Sequence, residues 1–299
     1  MNPSLLLGLL LFFLLVGISW GYWFIRYGPP RGNPILLYHK IDRKMEWGGT
    51  WNTPSQFETQ MKTLKEKGYT VVPLENLMVR AGFKPAPISS KSIAITFDDG
   101  YENVYQYAYP LLHLYGYPAT IFLISGFVGK ENLWDVNVGW RTYTHLNWDE
   151  IIEMKRKGIT FGSHTVTHRD LTKISLRDVR WELLESKRRI EEKIGEEVKF
   201  LSYPFGRYNH AIQEIAKEVG YSAAFTSYPK SKNDAFDPYA TGRVGIYIID
   251  TLPEFRVKTF QKNLFFIGVE EIKGRVINFF SHGTPLVKTM KIKVEEETV

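Results

Sequence analysis

The sequence predicts an α/β protein whose parallel strands and helical crossovers form a barrel, preceded by one apolar N-terminal segment. Three observations carry this. Short β-rich runs alternate with amphipathic runs of helix length, which argues for parallel strands joined by helices. About seven such units occur, more than a small open sheet needs, and barrels of this kind carry their chemistry where strands end and loops begin. Residues 1–25 contain no charged side chain.

The elements follow in order. The stretch 5–18 is almost wholly apolar, and Trp20, Tyr22 and Trp23 follow it. About 20 apolar residues suffice to cross a bilayer, and aromatic residues suit its interface. Residues 1–27 therefore read as an uncleaved membrane anchor. A cleaved signal peptide is the rival, but no small-x-small cleavage site follows. Arg26 and Arg31 lie after the segment, which by the positive-inside rule would place the remainder in the cytoplasm. Residues 28–34, rich in Pro and Gly, form a linker.

Strands are expected at 35–38, 69–72, 92–97, 119–123, 159–161, 200–203, 223–226 and 244–249, from their β-branched and aromatic content. Helices are expected at 55–67, 74–80, 104–114, 148–157, 176–193 and 210–219, most closed by a glycine such as Gly68, Gly116, Gly158, Gly195 or Gly220. The barrel domain spans 35–285, and 286–299 is a charged tail. Residues 129–147 form a long insertion expected to cover one side of a cleft.

Composition narrows the chemistry. The chain has 299 residues, 44% of them hydrophobic, enough for a sizeable core. It has no cysteine, so disulfides, thiolate ligands and cysteine nucleophiles are excluded, and any metal must be held by His and carboxylates. The net charge of +6 is mild, with no basic arm or zinc-finger spacing, so no nucleic-acid partner is expected.

Three clusters sit at successive strand ends. Thr96-Phe97-Asp98-Asp99-Gly100 places two carboxylates side by side, which is costly unless something positive neutralises them. Taken alone, it reads as a turn with both acids in solvent. Ser163-His164-Thr165-Val166-Thr167-His168 offers two imidazoles four residues apart. With Asp99 they would make a His-His-carboxylate set that leaves positions open, as catalytic zinc sites do. Tyr203-Pro204-Phe205-Gly206 is a turn that could aim a backbone N–H into a cleft. Together the three are far less expected by chance than any one.

In this combination, with the Leu146-Asn-Trp-Asp-Glu-Ile-Ile152 helix start, the chain resembles the polysaccharide deacetylase family, the NodB-homology or carbohydrate esterase family 4 domain, over residues 35–250. The resemblance implies a distorted (β/α)7-type barrel. It implies Asp98 as catalytic base, and Asp99, His164 and His168 as ligands of a divalent metal. Zinc is the default, and cobalt, nickel or manganese could take the same ligands. Phe205, after Pro204, matches the aromatic residue whose backbone N–H helps bind the oxyanion.

Two departures matter. The family's arginine three residues before that aromatic is Ser202 here, and Arg243 is the candidate to orient Asp98 instead. The proton donor to the leaving amine is either His39, in the run Leu36-Leu-Tyr-His-Lys-Ile41, or His282. His39 is preferred because its surroundings resemble the subgroup that includes poly-N-acetylglucosamine deacetylases. His113, His145 and His210 read as structural or exposed. The expected activity is hydrolysis of acetamido groups on an N-acetylglucosamine-type polysaccharide by an anchored enzyme, placed away from the cytoplasm, against the positive-inside reading, only because an exported polymer requires it. The alternatives are a carbohydrate O-acetyl esterase and a catalytically idle sugar-binding barrel. The polymer is not specified, and no obligate protein partner is evident.

Overall fold

The structure is a computed structural model that describes residues 33–45, 49–78, 89, 91–132, 142–227 and 237–260. The chain runs β1 (Ile35–Tyr38), β2 (Lys40–Ile41), β3 (Trp51–Asn52), α1 (Pro54–Glu66), β4 (Thr70–Val71), α2 (Leu74–Leu77) and β5 (Ser92–Phe97). A wide π turn, Val104–Ala108, leads into α3 (Tyr109–Tyr115). Then come β6 (Thr120–Leu123), α4 (Trp148–Arg156), β7 (Thr160–Ser163), α5 (Leu176–Ile194), β8 (Phe200–Ser202), α6 (His210–Val219) and β9 (Ala223–Thr226). The described part closes with β10 (Thr241–Gly242), β11 (Val244–Gly245) and α7 (Leu252–Phe260).

The strands form a nearly closed parallel barrel in the order β10-β9-β8-β7-β6-β5-β1-β11, with β4 added against β5. Its seam is unusual. β10 and β11 occupy opposite ends of that order, yet only Arg243 separates them in the chain. Thr241 and Gly242 pair with Phe225 and Thr226 of β9, and Val244 and Gly245 pair with Leu36 and Leu37 of β1. The chain itself, crossing at Arg243, closes the ring.

Every residue of β1, β5, β6, β8 and β9 is buried, as a parallel sheet covered by helices requires. The helices start where their caps dictate. Thr53 with Gln56 and Asn147 with Glu150 form capping boxes for α1 and α4, and Ser175 and Asn209 cap α5 and α6. Gly195 and Gly220 end α5 and α6 in the left-handed conformation. The inner stripe of α5 holds Val179, Leu183, Ile190 and Ile194, but also buried Glu182, Ser186 and Lys187. Those polar residues point to work near the barrel.

The expected elements recur with physical differences. The strand expected at 244–249 stops at Gly245, because Tyr247–Asp250 folds into a turn in which Asp250 accepts from the Tyr247 N–H at 2.8 Å. The helix expected from Val104 opens with the π turn. α7 is not signalled by the pattern. Its Pro253 looks like a breaker but sits in the first turn, where a missing N–H costs nothing. Among the described residues no helix is long and apolar enough to cross a membrane. The anchor expected at 1–27, residues 28–32 of the linker, the run before His282 and the tail at 286–299 lie outside the described residues.

Packing is tight where β7 passes under the site. A methyl group on Gly162 would lie 2.6 Å from the Phe122 ring and 3.0 Å from the Phe200 carbonyl oxygen. Gly162→Ala should lower the unfolding free energy by about 2 kcal/mol in urea titrations, within the usual range for overpacking. An unchanged midpoint would contradict the close packing.

Candidate active site

The carboxyl ends of β5, β7, β8 and the β10–β11 crossing converge on two carboxylates with different partners. Asp98, 2% exposed, receives a two-pronged contact from the fully buried Arg243. Nη1 donates to Oδ1 at 2.7 Å and Nη2 to Oδ2 at 2.6 Å. The Ser202 hydroxyl donates to Asp98 Oδ2 at 3.0 Å and accepts from Arg243 Nη2 at 2.8 Å. Arg243 also reaches the Thr96 hydroxyl at 3.3 Å and lies over the Phe122 ring at 5.2 Å. Burial alone would lift the Asp98 pKa, but the Arg243 guanidinium, helped by His164 and His39, holds it below the ordinary carboxylate value. Ser202 thus leaves room for an arginine arriving from the barrel seam.

Asp99 turns the other way. Its φ of 70° is left-handed, and Gly100 follows at φ 67°, where a Cβ would meet Leu123 at 2.8 Å. Asp99 Oδ1 faces His164 Nε2 at 3.4 Å and His168 Nε2 at 3.5 Å. That oxygen is buried and forms no hydrogen bond. Burial would raise the Asp99 pKa, yet the two imidazoles, with His39, drive it far below its ordinary value. His164 Nδ1 lies 2.7 Å from the Ser202 carbonyl oxygen, which can only accept. Neutral His164 therefore carries its proton on Nδ1 and presents the Nε2 lone pair to Asp99. Burial, and repulsion from His164, push His168 down to about 3. Burial opposes a charge on His164 too, but Asp98 and Asp99 outweigh it and raise its pKa.

One ligand atom from each of Asp99, His164 and His168 lies within 4.8 Å of the others, and all three residues are buried. Donors held about 2.0–2.1 Å from a tetrahedral ion stand about 3.3 Å apart. The observed 3.4 and 3.5 Å fit that spacing. A buried carboxylate oxygen with no hydrogen bond, facing the His164 Nε2 lone pair and the His168 Nε2, fits a cation held between the three residues.

The loop after β8 completes the rim. Pro204 is buried, and Phe205 has φ 58° and ψ 12°, left-handed for a bulky residue. Gly206 must follow, since a Cβ there would meet the Ser227 N at 2.7 Å. The Phe205 ring packs on His168 at 4.7 Å. His39, half-buried just after β1, feels Asp99, Asp98, Arg243 and His164. Burial lowers its pKa, against the pull of the two carboxylates. His282 lies outside the described residues. His113 and His210 are exposed, and His145 is buried, stacked on Tyr101 at 5.1 Å.

Some residues around the site gave no motif. The buried Glu182 of α5 accepts from the N–H groups of Val166 and Thr167 at 2.8 and 2.9 Å. Ser186 donates to the Thr165 carbonyl at 3.1 Å. Arg207 pairs with Asp170, tying the loop after β8 to the loop after β7. The one available signal was polar residues at inward positions of the longest helix.

The polysaccharide deacetylase family model matches residues 86–224. YxkH of Bacillus subtilis (strain 168), named for the polysaccharide deacetylases, is 34% identical over 220 residues, covering 73% of this chain and 72% of its own length. A poly-β-1,6-N-acetyl-D-glucosamine N-deacetylase of Staphylococcus aureus (strain MRSA252) is 28% identical over 199 residues, covering 64% of this chain and 66% of its own. In three dimensions the chain is similar to the Streptococcus pyogenes deacetylase PplD, solved with acetate, at a TM-score of 0.66 and 27% identity, covering 77% of this chain and 98% of that one.

Arg243→Met should remove about 3–5 kcal/mol of stability at neutral pH, because it strands a buried carboxylate. Asp98 is depressed in the folded state, so its contribution is present above the unfolded value near about 3.9 and is lost as pH falls through the folded value. The deficit of the variant should therefore shrink when urea titrations are repeated from pH 6 down to about pH 3. A deficit that does not change with pH would contradict the charge pairing.

Proposed function

Because the chain belongs to the polysaccharide deacetylase family, we propose that this end of the barrel hydrolyses acetamido groups on an N-acetylglucosamine-type polysaccharide. The reading is carried by one observation: two neighbouring buried carboxylates, one clasped by Arg243 and one facing two imidazoles across distances suited to a cation. The S. aureus relative named for poly-β-1,6-N-acetyl-D-glucosamine supports the substrate class.

Asp99, His164 and His168 are the residues that would hold a divalent cation, zinc by default. Such an ion supplies Lewis acidity and makes a bound water far more acidic. The remaining work belongs to the chain. Asp98 is ionised at neutral pH and serves as the base. Its Oδ2 already accepts from Arg243 and Ser202, whereas Oδ1 accepts from Arg243 Nη1–H. Oδ1 therefore keeps the lone pair that takes the proton of the attacking water. The Phe205 backbone N–H, aimed by the Pro204–Gly206 turn, stabilises the oxyanion as the acetamide carbonyl becomes tetrahedral. His39 delivers a proton to the departing amine nitrogen, and acetate and a free amine result. Zinc, cobalt, nickel or manganese suit these ligands. An anchor at 1–27 would hold the barrel on the outer side of the membrane, where an exported polymer lies.

Metal-loaded protein should release acetate from N-acetylglucosamine oligomers. Asp98→Asn should cut kcat by about 10²–10⁴ while the metal stays bound, and His164→Ala should lose both metal and turnover. Release from acetylated xylan but not from N-acetylated oligomers would overturn the substrate assignment. A normal rate for His39→Ala with a collapsed rate for His282→Ala would transfer the proton-donor role to His282.

A further inference from the structure

The loop that carries both imidazoles is held in an unfavourable shape. Thr165 and His168 have φ values of 70° and 56°. Neither is glycine, so each conformation persists only where its surroundings hold it. The hydrogen bonds of the loop identify those surroundings. Its carbonyls are met from one side, where Ser125 N–H donates to Thr165 O and Gly126 N–H to Val166 O, each at 3.0 Å. Gly126 is obligatory there, because a Cβ would lie 2.5 Å from Val166 O. Inside the loop, the Ser163 hydroxyl accepts from the Thr165 N–H at 3.2 Å and the Thr165 hydroxyl from the His168 N–H at 3.0 Å. Two of the three N–H groups between the imidazoles, on Val166 and Thr167, point at one oxygen, Glu182 Oε2, at 2.8 and 2.9 Å. The Thr167 hydroxyl donates to Oε1 of the same carboxylate. Glu182 is 1% exposed and comes from α5, outside the barrel.

We propose that Glu182 is a positioning residue for the cation site: one buried carboxylate gathers three donors of the 164–168 loop and so sets the separation of the His164 and His168 Nε2 atoms. This rests on the reading of Asp99, His164 and His168 as a cation site. Glu182 acts on the loop backbone and the Thr167 hydroxyl rather than on the imidazoles themselves. The proposal concerns where its acceptor atoms stand, not its charge. Two substitutions separate these. Glu182→Gln removes the charge but keeps an oxygen where Oε2 stands, and the Thr167 hydroxyl can rotate to accept from the new amide. Glu182→Asp keeps the charge but retracts both oxygens by one methylene, out of reach of the two N–H groups.

The test is Co²⁺ titration of the purified full chain, followed by its visible d–d absorption, with thermal unfolding of the metal-free protein alongside. Wild type should bind Co²⁺ with the spectrum of a low-coordinate site. Glu182→Gln should stay within about threefold of the wild-type Kd, whereas Glu182→Asp and Glu182→Ala should weaken binding by about 10–100-fold and alter the spectrum, as loss of an outer partner does. Leu183→Ala, the neighbouring core residue, should lower Tm and leave Kd unchanged. If Glu182→Ala does not fold, the Gln and Asp pair decides alone. Loss in Gln with retention in Asp would mean that charge matters, and would overturn the proposal. So would a Kd unchanged in all three Glu182 variants, or a Leu183→Ala loss equal to theirs. Failure of wild type to bind Co²⁺ would sink the cation site itself, a different result from the others.

Discussion

The structure depends on keeping two adjacent carboxylates buried at once. Asp98 and Asp99 are 2% and 5% exposed, and neither could remain ionised there without its own positive or proton-donating counterpart. The chain separates them by conformation. Asp99 takes a left-handed turn, so one carboxylate faces Arg243 and the other faces two imidazoles. The same sequence pair thereby gives two acids in different settings, one clasped by a guanidinium and one beside two imidazoles.

Fold and site are joined by this division. Arg243 lies between the last two strands, so the residue that neutralises Asp98 is also the point at which the barrel closes. Among the described residues, four non-glycine residues adopt positive φ: Asp99, Thr165, His168 and Phe205. All four belong to the site. Left-handed backbone at such residues costs roughly 1–3 kcal/mol each, and the surrounding hydrogen bonds hold it in place. Ser202 illustrates how densely these bonds are shared, since its hydroxyl serves Asp98 and Arg243 while its carbonyl fixes the tautomer of His164.

Much of this was legible in the sequence because the barrel is regular. Strand–helix alternation with closing glycines such as Gly195 and Gly220 gave the order of elements, and the ends of β5, β7 and β8 gave the three clusters. Arg243 could be named only through the family resemblance, in which Ser202 stands where an arginine is expected. The rest was hidden for physical reasons. The two-residue β10 is too short to show a period, so the crossing at Arg243 had no signature although a strand was expected from Val244. Glu182 belongs to a helix full of charged residues, and only burial distinguishes it from its exposed neighbours. The left-handed backbone of Thr165 and Phe205 follows from tertiary contacts, which a local pattern does not encode.

The most direct measurement is X-ray absorption at the zinc edge on zinc-loaded full-length protein. The account predicts a light-atom shell at about 2.0–2.1 Å, with the multiple-scattering pattern of two imidazoles that is lost when both His164 and His168 are replaced. It also predicts a shell left unchanged by Asp98→Asn and depleted of one oxygen by Asp99→Ala. A shell that loses an oxygen in the Asp98 variant, or that lacks imidazole scattering, would show that the two carboxylates are not divided in this way.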